Sequence, residues 1–157
     1  MFYIWRQLEL IDSINNNENL TKNKKIEATN KRYERIKNKI KDMHWKIADY
    51  LTKNYKTILI GNFSTKRMGE TDDVSKMTKR IGNLYSFYQF KQILQYKCKK
   101  TGTNYKDVNE AYTSKCCSRC GYLKKDLGND TKYNCNKCRL QIGRDINGAK
   151  NILMLNL

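Results

Sequence analysis

Two Cys-x-x-Cys pairs, Cys117–Cys120 and Cys135–Cys138, stand 14 residues apart near the end of this 157-residue chain. Each pair suits a tight knuckle that aims two thiolates at one point, and two knuckles complete a tetrahedral S₄ site. That is the ligand set of a zinc ribbon, with Zn²⁺ as a structural ion. The segment between the pairs carries Gly128-Asn129-Asp130, a turn signal. Disulfides and redox-active Cys-x-x-Cys pairs are the competing readings of the same residues. Disulfides are disfavoured in a reducing compartment, and the short run Phe2–Trp5, ended by Arg6, is no signal-peptide core. A thioredoxin-like site uses one such pair at a helix start, whereas this chain has two facing pairs. Cys116 falls out of the Cys-x-x-Cys register. Cys98 lies late in a helical stretch and reads as a small core residue.

The formal net charge is +17, from 32 Lys+Arg against 15 Asp+Glu, which points to a polyanionic partner, nucleic acid before an acidic membrane surface. Around the cysteines, cations and aromatics interleave: Tyr112, Lys115, Arg119, Tyr122, Tyr133, Arg139. Such a mixture suits phosphate contact and base stacking, the plainer alternative being a solvated face on a basic protein. No apolar run approaches the ~20 residues that span a bilayer, so a transmembrane chain is excluded and an intracellular one, cytoplasmic or nuclear, is expected. No G-x-x-x-x-G-K-[ST] loop occurs, and nucleotide hydrolysis has no support.

Hydrophobic spacing predicts an α/β chain with long helices. Phe2, Trp5, Leu8, Ile11 and Ile14 recur at helical intervals, and a helix from about Thr21 to Asn54 presents Ile26, Tyr33, Ile36, Ile40, Met43, Ile47 and Leu51. Thr57–Ile60, halted by Gly61, reads as a strand, and Phe63–Asp73 as a mobile loop. A second helix is expected over Val74–Lys99, a second strand over Asn104–Glu110, and a last helix over Ile146–Leu155. His44, the only histidine, reads as a partly buried helix residue rather than a base or a ligand.

Asn109–Gly121, the pair Cys135/Cys138 and Arg144-Asp145-Ile146-Asn147-Gly148-Ala149-Lys150-Asn151-Ile152 together resemble the C-terminal end of transposon-encoded TnpB proteins. They are also similar to the Fanzor relatives and, more distantly, to type V CRISPR effectors. His44-Trp45 and Ile58–Lys66 fit the same family. The resemblance implies a partial RNase H-like (RuvC) fold with an inserted four-cysteine zinc ribbon, read as a RuvC-like segment over 1–112, the ribbon over 113–141 and the last motif over 142–157. For intact members it implies RNA-guided DNA cleavage by three carboxylates holding divalent ions, hence Mg²⁺ here, with DNA and guide RNA as partners. Asp145 matches the third carboxylate, although an Asp at a helix start is also an ordinary N-cap.

Many family members carry a Glu where this chain has Gly61, and Glu110 resembles the relocated Glu of a subgroup, with an ordinary surface residue as the alternative. No early strand ends in an Asp-x-Gly motif to supply the first carboxylate, and Asp12 sits in a helical pattern. The expectation is a DNA-binding zinc-ribbon protein of nuclease ancestry that does not cut alone. The alternative is a metal-dependent endonuclease in which a separate N-terminal segment supplies the missing Asp.

Overall fold

The computed structural model describes residues 2–62, 75–128 and 130–156. The expected loop over Phe63–Asp73, the residue Asn129 and part of the Ile58–Lys66 resemblance lie outside them. Two compact units emerge. One contains four helices: α1 (Phe2–Asn16), α2 (Lys22–Asn54), α3 (Lys76–Tyr85) and α4 (Phe87–Thr101). The other contains strands β1 (Thr57–Gly61), β2 (Asn104–Val108), β3 (Lys132–Asn134) and β4 (Gln141–Gly143), and helix α5 (Arg144–Leu155).

In the helical unit, Ile4, Leu8 and Ile11 of α1 pack with Ile36 and Ile40 of α2 and Ile81 of α3. The α1 stripe keeps Leu8 and Ile11 as expected but starts at Ile4: Phe2 and Trp5 are exposed, and Trp5 donates its indole N–H to Glu9 Oε1 at 2.7 Å. In the second half of α2 the buried face follows His44, Ala48 and Thr52, not Met43, Ile47 and Leu51. A close helix neighbour explains this, because α4 approaches along that face and leaves room only for small or flat side chains. Thr52 donates its hydroxyl to Ala48 O at 2.9 Å, so it buries no unpaired polar atom. The two helices run the same way, matching His44 to Phe90, Asp49 to Lys97 and Thr52 to Thr103.

The single helix expected over Val74–Lys99 is two. Ser75 caps α3 by accepting from the Thr78 N–H at 3.1 Å, and Ser86 breaks the run at φ 43. Asp12 is consumed by Arg80, whose Nη1 reaches both carboxylate oxygens at 2.7 and 2.9 Å.

His44 lies buried against the Phe90 ring, with centroids 5.4 Å apart, and its Nδ1 has no partner among the described residues. Burial lowers its pKa from 6.5, partly opposed by a hydrogen bond to the Tyr85 backbone. A folded value below the unfolded one means that stability is fully present above pH 6.5 and erodes as pH falls below it. Because His44 is the sole histidine, its imidazole resonance is unambiguous in NMR. The titration midpoint is expected below 6.5, and a midpoint at or above that value contradicts the buried environment.

In the second unit β1 and β2 are parallel, in register from Thr57↔Asn104 to Gly61↔Val108, and β3 and β4 are antiparallel. Helix α5 packs against β1, β3 and β4. No helix among the described residues is long and apolar enough to cross a membrane.

Candidate functional site

The four cysteines of the two pairs converge. Their sulfurs all lie within 4.8 Å of one another, with Cys117–Cys138 and Cys120–Cys135 each 3.6 Å apart. A tetrahedral zinc at ~2.3 Å from each sulfur sets them roughly 3.8 Å apart, and a disulfide needs about 2.05 Å, so the set fits a metal such as zinc rather than bridges. The Cys138 backbone N–H donates to Cys135 Sγ at 3.4 Å and is the main reason that thiol falls to about 6. Metal binding requires thiolates, which this lowering favours at Cys135, whereas desolvation pushes the neighbouring Cys138 thiol up to about 12.

Each knuckle closes the same way. Gly121 N–H donates to Cys117 O at 3.0 Å and Arg139 N–H to Cys135 O at 3.1 Å. The residue after the second cysteine is left-handed in both, Gly121 at φ 71 and Arg139 at φ 59. Cys116 stands outside the set, with its thiol 3.4 Å from Gly121 O. Tyr133 is not the exposed stacking residue expected from sequence. It is fully buried in the ribbon core with Leu127, donates toward Lys115 O and Tyr122 O, and desolvation is the main cause that pushes its phenol up to about 12. Tyr112 and Tyr122 remain exposed.

Two asparagines of α5, one turn apart, fasten the helix to the first knuckle. Asn147 donates to Cys116 O at 2.6 Å and accepts from the Ser118 N–H at 2.9 Å. Asn151 donates to Thr113 O and Cys116 O, each at 2.7 Å. Both side chains are buried. In the sequence these two residues stand only as part of the family motif. The tie itself leaves one signal there, a pair of amides four positions apart on an otherwise apolar face.

Asp145 sits in the first turn of α5, where the helix dipole favours an anion. It is not the N-cap, since Gly143 holds that place. The strand expected to end at Glu110 stops at Val108, and Glu110 follows in a turn secured by Thr113, whose hydroxyl donates to Glu110 O at 2.8 Å. That turn lays the Glu110 side chain across Gly61. A Cβ on Gly61 would collide with Glu110 Oε2 and lie 2.9 Å from its Cδ and 3.2 Å from its Cβ. Glu110 therefore fills the volume that a side chain at 61 would need. Glu110 and Asp145 line one hollow of about 570 Å³, together with Asp130 and Arg144. From sequence, Asp130 reads only as part of a turn. Arg144 ties the hollow's rim by donating Nη1 to Gly128 O at 3.1 Å.

TnpB-like protein L79 of Acanthamoeba polyphaga mimivirus is 38% identical across 94% of this chain. The chain belongs to the TnpB-type family of transposon-associated nucleases. It spans 30% of the length of that TnpB relative. A sequence model described as the Cas12f1-like TNB domain matches residues 87–152. The CRISPR-associated endodeoxyribonuclease Cas12f1 of Sulfoacidibacillus thermotolerans is 27% identical over 59% of this chain and 22% of its own. A cryo-EM structure of a Cas12f1–sgRNA–target DNA complex superposes with a TM-score of 0.61 at 25% identity, covering 84% of this TnpB-type chain and 37% of that one.

Proposed function

We propose that this chain binds DNA through its basic surface and Zn²⁺ ribbon, and that Glu110 and Asp145 are two carboxylates of a RuvC-like, RNase H-type divalent-metal site. Residues 113–141 serve as the ribbon and 142–157 as the last RuvC motif. The observation that carries the reading is the Glu110 side chain lying across Gly61 in the hollow shared with Asp145. Ligand sites in parallel α/β sheets gather at the carboxyl ends of strands, and both Gly61 and Glu110 lie there. Hard oxygen donors suit Mg²⁺, which in phosphodiester cleavage activates water and stabilises the leaving oxygen. Glu110 and Asp145 would hold such an ion, and α5, tied through Asn147 and Asn151, keeps Asp145 in place.

The one Asp-x-Gly of the 157 residues, Asp126-Leu127-Gly128, lies between the two cysteine pairs and not at the end of an early strand, so it bridges no second ion and this chain by itself is expected to bind DNA without cutting it. Affinity for a labelled duplex should fall linearly in log–log against salt with a slope of several units. Incubation with Mg²⁺ or Mn²⁺ should leave the DNA intact. Binding that ignores salt refutes the phosphate contacts. Metal-dependent cleavage lost in both Glu110→Ala and Asp145→Ala refutes the inactive reading. The formed Glu110–Asp145 hollow favours a second reading, in which a separate segment bearing the missing carboxylate, with a guide RNA, completes the nuclease. Addition of such a segment from a relative should then produce cleavage.

A further inference from the structure

The helical unit carries a feature that the metal-site reading leaves unused. On the exposed side of α2 and α4, Trp45 and Tyr96 meet edge to face, with centroids 5.9 Å apart and planes at 82°. They are 37% and 55% exposed, which is unusual for two large rings that touch. With Gln92 and Ile93 they line a shallow depression of about 460 Å³. Tyr88, two turns before Tyr96 on α4, is also exposed and continues the aromatic row by roughly 12 Å. An edge-to-face pair leaves one ring both faces open and the other its far face, so a planar group can stack on either.

The charge around the depression selects the partner. Two aspartates lie a turn from Trp45 on α2, and both are neutralised: Asp42 pairs with Lys46 at 2.7 Å, and Asp49 with Lys53 at 2.6 Å and Lys97 at 2.5 Å. Those lysines, Lys53 first, hold the Asp49 carboxyl down at about 2, so it stays paired across the working pH range. Lys41, one turn before Trp45, and Lys99 and Lys100, one turn beyond Tyr96, are exposed and have no carboxylate partner among the described residues. Aromatic faces bracketed by uncompensated cations fit a polyanion with accessible bases. A duplex hides its base faces, and a protein partner gains little from this excess of positive charge.

We infer that Trp45 and Tyr96 form a stacking platform for unpaired bases of single-stranded nucleic acid, with Lys41, Lys99 and Lys100 on its phosphates. The site lies in the helical unit and does not depend on the carboxylates of the other.

The chain has two tryptophans, so Trp5→Phe leaves Trp45 as the only indole reporter. In that background a labelled oligothymidylate is titrated, with Trp45 emission and label anisotropy read together, beside a duplex of equal phosphate count. Saturable quenching by the single strand and little by the duplex is expected. Trp45→Ala and Tyr96→Ala should each weaken single-strand binding roughly tenfold, whereas Trp45→Phe, which keeps a stacking face, should lose much less. Both sites are exposed, and an unchanged circular dichroism spectrum confirms folding of each variant. Anisotropy that reports binding while Trp45 emission stays constant overturns the platform and leaves the DNA-binding reading standing. Equal affinities for Trp45→Ala and the parent overturn it as well, and absence of any single-strand binding overturns both.

Discussion

Cys117→Ser, Cys120→Ser, Cys135→Ser and Cys138→Ser should each abolish binding of the one zinc ion expected per chain and unfold the ribbon. The core available without metal is small: Leu127 and Tyr133 are its buried side chains apart from the cysteines, backed by the partly buried Leu140 and Ile142. Structural zinc contributes apparent free energies of about 10–16 kcal/mol in small modules near neutral pH, far more than such a core supplies. Loss should reach beyond the ribbon, because Asn147 and Asn151 hang α5 on Cys116 O. Amide exchange in α5 should therefore accelerate on chelation, and the buried Tyr133 should lose its near-ultraviolet dichroism. Cys116→Ser and Cys98→Ser should keep full metal content. Equal metal loss from Cys116→Ser would falsify the ligand set.

Asn147→Ala should destabilise the metal-loaded second unit by about 2–3 kcal/mol, since the Ser118 N–H loses its acceptor and a fully buried amide leaves a void. Cys116 O keeps Asn151 as a donor, which limits the loss. Asn147→Asp should be at least as harmful. It retains an acceptor for Ser118 but sets a carboxylate oxygen against Cys116 O, where the amide now donates at 2.6 Å. Urea midpoints at saturating zinc measure both variants. A variant as stable as the parent would show that the tie between α5 and the knuckle carries no energy.

What the sequence discloses depends on the kind of constraint. The knuckles are legible because ligand spacing is covalent arithmetic, and the short strand at Thr57–Gly61 because its apolar run ends in a glycine. Helix existence is legible for α1, α2 and α5 from periodicity, and the buried phase only in part, through Leu8 and Ile11 of α1 and Ile36 and Ile40 of α2. Ile4 takes the place expected of Trp5, and His44, Ala48 and Thr52 line the second half of α2 because the approach of α4 rewards small volume over hydrophobicity. The break at Ser86 leaves no glycine or proline to announce it. Tyr133 reads as an exposed aromatic because its neighbours are polar; burial inside a cysteine knuckle pair does not follow a hydropathy pattern. Gly61 and Glu110 can each be singled out, one for lacking a side chain and the other for bearing a carboxylate. Their shared volume depends on the β1–β2 register and the turn after Val108, which only the fold supplies.

That shared volume also makes the two positions competitors for one place. While Glu110 lies across Gly61, even alanine at 61 meets its side chain, and the carboxylate end, which is the nearest group, has to swing away to admit it. An acid added at 61 therefore displaces the acid of 110 instead of joining it. The two positions are alternative anchors for a single carboxylate, and a chain that carries both gains no second ligand in that space.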